Sequence, residues 1–188
     1  MSLNTWFSKG MTYTEYVENM QVNRLELEEI YQNVTFESSD VTYFTQLRDK
    51  NLQVITLTAD WCGDAALCVP IMQRIAELIS IELRFLIRDE NLDLMDQYLT
   101  NGTARSIPIF IITNELGKEL AVWGPRSPEV QKWVTEQRAN LPTQDALDFQ
   151  EKQKDMYAAF KRRITTDPVI WQSVISDIRL RLENQLNN

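Results

Sequence analysis

The segment of residues 52–87 constrains the fold most, because it reads as a strand, a helix and a second strand in immediate succession. The run LQVITLTA at residues 52–59 carries no charge and is rich in β-branched residues, which is typical of a strand buried on both faces. From residue 63 to about residue 80, apolar residues recur every three or four positions, and IELRFLI at residues 81–87 predicts the next strand. This order predicts two parallel strands joined by a right-handed crossover.

The following residues extend the same pattern. Residues 91–99 predict a short helix, and IPIFIIT and KELAVWG, separated by the turn-forming NELG, predict a β-hairpin. Ser127 is a suitable helix cap, and Pro128 stands at the first helical position, where its missing N–H costs nothing. The sequence therefore predicts an α/β core in the order β-α-β-α-β-β-α.

Helical patterns flank this core on both sides. The first fifty residues predict helices, one of them capped by Ser39 or Asp40, and two C-terminal helices divide at about residues 165–168. We thus expect an N-terminal helical extension at residues 1–50, a core domain at 51–141 and a C-terminal helical extension at 142–188. The apolar faces of the last two helices predict packing on the core domain or on a second copy, which would give a homodimer.

Composition excludes several classes of function. The 188 residues carry a formal charge of -8 and no histidine, which argues against a nucleic-acid or anionic-membrane partner and removes histidine-based catalysis and metal binding. The acidic run RDENLDLMDQ lacks the glycine and the ligand spacing of a calcium loop, so we interpret it as a solvated helix start. We expect no metal and no cofactor. With no apolar run of about 20 residues and no secretion signal, we also expect a cytoplasmic protein.

Both cysteines lie in TADWCGDAALCVP, where the predicted strand ends and the helix begins. Cys62 stands beside the unpaired N–H groups and the positive end of the helix dipole, which favour the thiolate. The carboxylates of Asp60 and Asp64 oppose this shift. We expect Cys62 to be a reactive thiol with a pKa below the free value of about 8.5.

These residues carry a resemblance to the thioredoxin superfamily, over roughly residues 52–141. WCG after the buried strand resembles the start of the family's W-C-G-P-C motif, Pro70 stands where the family bends its active-site helix, and RSIPIFI resembles the loop before its cis proline. The resemblance implies a thioredoxin-like fold with added terminal helices. It also implies that Pro108 is cis, that the Ile107 backbone lies beside the reactive sulfur, and that Gly124 forms a further wall of the groove. WCGD is similar to a group of bacterial thioredoxin-like proteins.

Two positions depart from the family pattern. Ala65 occupies the place of the resolving cysteine, and Thr56 occupies the place of the buried acid that assists proton transfer. Cys68 is a poor replacement, because six residues of regular helix rise about 9 Å and turn roughly 240°, whereas a disulfide requires Cα atoms within about 7 Å. We interpret Cys68 as a buried apolar residue.

The sequence thus predicts a monothiol thiol-disulfide oxidoreductase, in which an external thiol resolves the mixed disulfide. Its partners would be protein or low-molecular-weight disulfides and thiols. The alternative is a redox-inactive module of the same fold that binds a protein partner. Arg105 fits a solvated arginine better than a catalytic group. The predicted site consists of Cys62 as nucleophile and a substrate groove of Trp61, Gly63, Asp64, Ile107, Pro108 and Gly124.

Overall fold

The computed structural model describes residues 1–186, and the two predicted parallel strands lie side by side in its four-stranded sheet. The strand order is β2-β1-β3-β4, with β1 parallel to β2 and antiparallel to β3, and β3 antiparallel to β4. The strands are β1 (Leu52–Thr58), β2 (Glu82–Ile87), β3 (Ile109–Asn114) and β4 (Glu119–Trp123). The predicted parallel pairing of β1 and β2 across a helix and the predicted hairpin of β3 and β4 are confirmed.

Helices cover the sheet and both ends of the chain. In order they are α1 (Leu3–Lys9), α2 (Tyr13–Asn19), α3 (Arg24–Asn33), α4 (Ser38–Thr45), α5 (Gly63–Ile79), α6 (Leu92–Met95), α7 (Pro128–Ala139), α8 (Phe149–Thr166) and α9 (Pro168–Leu186). Helix α5 joins β1 to β2 and is buried along most of its length. Within residues 1–186, no helix is long and apolar enough to cross a membrane.

The N-terminal helices are joined to the sheet by specific contacts. Met11 exchanges two backbone hydrogen bonds with Phe85 of β2, at 2.9 and 2.8 Å. The hydroxyls of Tyr16 and Thr58 lie 3.1 Å apart in a buried hydrogen bond, and the Tyr16 ring stacks on Phe85. This contact fixes α2 against the end of β1 that leads to Cys62.

The C-terminal helices pack on the core domain, which is one of the two arrangements that the sequence predicted. Helix α9 lies against β4, where the indole N–H of Trp123 donates to the Asp177 carboxylate over 2.7 Å. Helix α8 packs on α3 and α5, and Lys161 pairs with Glu26 of α3 at 2.8 Å. One hydrophobic core contains buried residues from all three predicted segments. The boundaries between these segments stay a prediction. Residues 187–188 of the last segment lie outside the described residues.

Two local predictions were wrong. Helix α6 is four residues long and does not extend to residue 99, because the next N–H groups, those of Gln97 and Tyr98, donate to the third residue back, Leu94 and Met95, each over 3.0 Å. Helix α4 is capped at Glu37, and Asp40 lies in its first turn. The buried Asp40 carboxylate instead accepts hydrogen bonds from Gln172 and Arg179 of α9.

Candidate active site

Cys62 occupies the N-cap position of α5, four residues after the end of β1. Its side chain is buried, and its thiol donates a hydrogen bond to the Ile107 carbonyl oxygen over 3.4 Å. The Ile107-Pro108 bond is cis, as the resemblance implied. The reactive-cysteine candidate and the proline loop, 45 residues apart in sequence, therefore meet.

The pKa of Cys62 is raised to about 11, so the expectation of a lowered pKa was wrong. Burial of the thiol is the largest cause, and the negative charge of Asp64 adds to it. Backbone N–H groups of Ala65 and Asp64 and the charge of Arg126 lower the pKa but do not compensate. The helix-start argument was sound in direction, but removal of the sulfur from water outweighs it.

Asp64 forms a nearly buried ion pair with Arg126, a residue of the loop between β4 and α7. The guanidinium donates to both carboxylate oxygens, at 2.7 and 2.6 Å. The side chains of Asp64 and Arg126 are only 10% and 18% exposed. Burial raises the pKa of Asp64, although Arg126 acts to lower it. Sequence reasoning missed Arg126; its position directly after the Gly124-Pro125 turn was the available signal.

Cys68 is completely buried, on the side of α5 that faces the second cis peptide bond, Gly124-Pro125. Its sulfur lies 3.9 Å from the Pro125 carbonyl oxygen, and burial holds the pKa of this thiol well above its usual value. Both cysteines are free thiols. The interpretation of Cys68 as a buried apolar residue agrees with this placement.

Gly124 lies directly behind the proline loop. Its φ of +131° is rarely adopted by other residues, and a Cβ there would collide with the Pro108 carbonyl oxygen. Glycine therefore allows the strand end to approach Pro108. Gly124 and Pro108 were predicted to form part of the substrate groove. They lie against each other but do not line the pocket at Cys62.

A pocket of about 640 Å³ lies in front of the cysteine. Five of the seven predicted site residues line it, namely Trp61, Cys62, Gly63, Asp64 and Ile107. Arg105 also lines the pocket, but both of its bonds to Asp96 are on the exposed surface, at 2.7 and 2.9 Å. The half-exposed Trp61 carries the Arg88 guanidinium 4.6 Å above its ring.

Helix α8 lies over this pocket and forms its roof with the lining residues Met156, Tyr157, Phe160 and Lys161. The sequence did not predict this arrangement. Phe160 stacks on Trp133 of α7 with ring centroids 5.4 Å apart. A Cβ added to Gly63 would lie 3.0 Å from the Phe160 ring, so the aromatic side chain covers the start of α5 directly. The shared helical face of Met156 and Phe160 in the sequence was the only signal, and it did not indicate which surface they cover.

A family model described as thioredoxin matches residues 10–140. The chain belongs to the thioredoxin family. In this thioredoxin-family chain, Ala65 is buried at the expected resolving position. Thr56 is buried on β1 with no hydrogen-bond partner for its hydroxyl among residues 1–186.

Two solved structures show the same fold at low identity. A protein of unknown function from Pseudomonas aeruginosa is 15% identical, with a TM-score of 0.71 and 98% of both chains covered. An HIV epitope scaffold is 14% identical, with a TM-score of 0.68, over 98% of this chain and 99% of the other. Thioredoxin from Fasciola hepatica is 21% identical, with a TM-score of 0.34, over 53% of this chain and 92% of the other. The comparison with curated proteins gives no match.

Proposed function

We propose that this thioredoxin-family protein exchanges disulfides through one thiol, Cys62. The observation that carries the proposal is the position of its sulfur, on the wall of an open pocket and 3.4 Å from the Ile107 carbonyl of the cis-proline loop. A pocket of about 640 Å³ is within the range of roughly 300–1,000 Å³ that small-molecule sites occupy. Low-molecular-weight disulfides and thiols, or a side chain of a protein, are the proposed substrates.

The exchange needs two steps. The Cys62 thiolate attacks one sulfur of a disulfide, the S–S bond breaks, and the other sulfur leaves as a thiolate that takes up the proton lost by Cys62. An external thiol then attacks the mixed disulfide, forms a new disulfide with the bound half and returns Cys62 to the thiol form. The external thiol supplies the resolving role for which Ala65 and the buried Cys68 are unsuited.

The raised pKa of Cys62 sets the pH dependence of this reaction. With a pKa of about 11, little thiolate is present at neutral pH, and the thiolate fraction grows tenfold for each unit of pH up to that value. A thiolate of high pKa is also intrinsically more nucleophilic, which offsets part of the deficit. Exchange is therefore slow at pH 7 and accelerates strongly toward pH 10.

The second candidate is a redox-inactive binding module, and the same raised pKa favours it. A buried thiol that donates to Ile107 is also a stable structural group. In that case, the pocket binds its ligand without chemistry at sulfur, and replacement of Cys62 leaves function intact.

Turnover of bis(2-hydroxyethyl) disulfide with an external thiol distinguishes the two candidates. The wild type, Cys62→Ser and Cys68→Ser proteins are compared at pH 7 and pH 9, after subtraction of the uncatalysed reaction. We expect turnover that rises with pH, is absent in Cys62→Ser and persists in Cys68→Ser. Equal rates in the wild type and Cys62→Ser would exclude thiol exchange and support the binding module.

A further inference from the structure

The lining of the Cys62 pocket is basic, although the chain as a whole is acidic. The chain has 27 Asp and Glu against 19 Lys and Arg. Among the described residues, the pocket is lined by one carboxylate and by five cationic side chains, Arg88, Arg105, Arg126, Arg138 and Lys161. The one carboxylate, Asp64, is bonded through both oxygens to Arg126. Positive charge is therefore concentrated at this pocket, although the molecule as a whole carries a net negative charge.

Several of these cations have carboxylate partners, but the partners lie outside the lining. Arg88 pairs with Asp89, Arg105 with Asp96, and Lys161 with Glu26. The positive ends of these pairs line the pocket, and their negative ends do not. This arrangement orients three ion-pair dipoles with their positive ends at the pocket.

Arg138 at the end of α7 differs from the other four. Among residues 1–186, no carboxylate lies within 4 Å of its guanidinium. Burial raises the pKa of Asp64, and the charge of Arg138, with that of Arg126, acts against this rise. An exposed guanidinium at the rim of a pocket keeps its N–H donors available for a planar anion. Arg138 is thus the cation best placed to meet a negatively charged ligand.

The remaining lining is mostly apolar and includes four aromatic side chains, beside the polar Asn23 and Ser106. Trp133 and Phe160 form a stacked pair at the roof, and three of the large apolar side chains that the fold leaves about half exposed, Val22, Trp61 and Tyr157, lie on this pocket. Exposed aromatic side chains around a concave site favour a ligand with a flat apolar body.

We propose that the Cys62 pocket binds a small organic anion with an aromatic or apolar body, whose acidic group meets Arg138 and whose body packs against Trp61, Trp133 and Phe160. A cavity of about 640 Å³ has the size of a small-molecule site, and Phe160 of α8 covers the surface at Gly63. This binding does not require Cys62 to react, so it goes beyond the proposed exchange chemistry and holds for either candidate function.

Two fluorescent probes of nearly the same shape test the proposal. The anionic 8-anilinonaphthalene-1-sulfonate and the neutral N-phenyl-1-naphthylamine share an aromatic body and differ in the sulfonate. Both are titrated against the 188-residue Cys62→Ser protein, in which thiol chemistry at position 62 is absent, and then against the same protein carrying Arg138→Gln. Arg162→Gln is the matched control, because Arg162 is an exposed arginine of α8 that does not line the pocket.

We expect saturable binding of the sulfonate probe with a lower Kd than that of the neutral probe. Arg138→Gln should weaken the sulfonate probe about threefold to fivefold, as loss of one exposed charge contact does, and leave the neutral probe unchanged. Arg162→Gln should change neither Kd. Absence of binding, equal affinity for the two probes, or an equal effect of Arg162→Gln would overturn the inference. Because Cys62→Ser is used throughout, these results are independent of whether exchange occurs.

Discussion

The charge at the Cys62 sulfur depends on two neighbouring side chains, Asp64 and Arg126. Asp64 raises the pKa of Cys62 and Arg126 lowers it, while both are held by their mutual ion pair. A single substitution in this pair therefore has two effects. It changes the pKa of Cys62, because a nearby charge is removed, and it lowers the stability of the fold, because the other member of the ion pair stays buried without its partner.

Replacement of Asp64 by asparagine should lower the pKa of Cys62 below about 11. The repelling carboxylate is removed and the Arg126 charge stays, while burial of the sulfur is retained. Below the pKa, the thiolate fraction should rise about tenfold for each unit by which the pKa falls, and the rate of alkylation by iodoacetamide should rise by less, because a thiolate of lower pKa is less nucleophilic. Rates measured from pH 7 to pH 11 give the pKa directly. Asp49→Asn, at an exposed site, is the control, and an unchanged profile in Asp64→Asn would refute the role assigned to this carboxylate.

Replacement of Arg126 by methionine should destabilise the protein by about 3–5 kcal/mol at pH 7, because it leaves the Asp64 carboxylate buried without its partner. The pKa of Asp64 is already raised by burial, so the folded state holds this proton more tightly than the unfolded state. Stability lost by the variant should therefore be partly regained as the pH falls from 7 toward 5.

Urea unfolding of the wild type and of Arg126→Met at both pH values measures this difference. Arg24→Met provides the control, since Arg24 forms an exposed pair with Glu28 that is worth less than about 1 kcal/mol. A deficit that is independent of pH, or no larger than that of the control, would contradict the assignment.

At the scale of elements, helix α8 contacts the start of α5 directly beside Cys62. Gly63→Ala would place a Cβ 3.0 and 3.2 Å from the Phe160 ring, and displacement of that ring should cost about 1 kcal/mol. In a Phe160→Ala background, the same change should be neutral or stabilising by up to about 1 kcal/mol, because alanine is the better helix former.

Urea unfolding of the four proteins in this cycle gives the coupling between the two positions. We expect a coupling of about 1 kcal/mol or more, with the unfavourable effect of Gly63→Ala confined to the protein that keeps Phe160. Strict additivity would show that α8 does not press on the start of α5.

The elements that sequence predicted well are those specified by local patterns. The uncharged run of β1, the periodicity of α5 and the Ser127-Pro128 start of α7 each act within a few residues, and all three are present. Where a distant contact decides, the capping role predicted for Asp40 was wrong, and the surface that Phe160 covers was not predicted. Asp40 is held by Arg179 of α9, and Phe160 covers Gly63 from 97 positions away in the numbering, which no local pattern can indicate.

The features of the candidate site also divide into those that local motifs predicted and those that depend on distant contacts. Position at the helix start and the cis proline loop followed from motifs, so the meeting of Cys62 with the Ile107 backbone and the cis Ile107-Pro108 bond were predicted correctly. The predicted groove residues Pro108 and Gly124 do not line the pocket. The raised pKa of Cys62 was not predicted, because burial of the sulfur, its largest cause, is a tertiary effect.

At the scale of the whole molecule, the C-terminal helices complete one continuous core. Ile178 of α9 is fully buried, whereas Leu180, two residues later, is 54% exposed. Ile178→Ala should cost about 2–5 kcal/mol and Leu180→Ala less than about 0.5 kcal/mol. Unfolding followed by both tryptophan fluorescence and circular dichroism should show one coincident transition in each variant. Two separate transitions would show that α9 unfolds independently of the sheet.

Site-resolved mass spectrometry after oxidation with bis(2-hydroxyethyl) disulfide tests most directly whether Cys62 works as a single thiol. The native protein, Cys62→Ser and Cys68→Ser are oxidised between pH 7 and pH 10, digested and analysed without reduction. We expect one adduct, on Cys62, that forms faster as the pH rises toward about 11, disappears in Cys62→Ser and is reversed by an external thiol. An internal disulfide between Cys62 and Cys68, or the absence of an adduct at every pH, would contradict the monothiol mechanism.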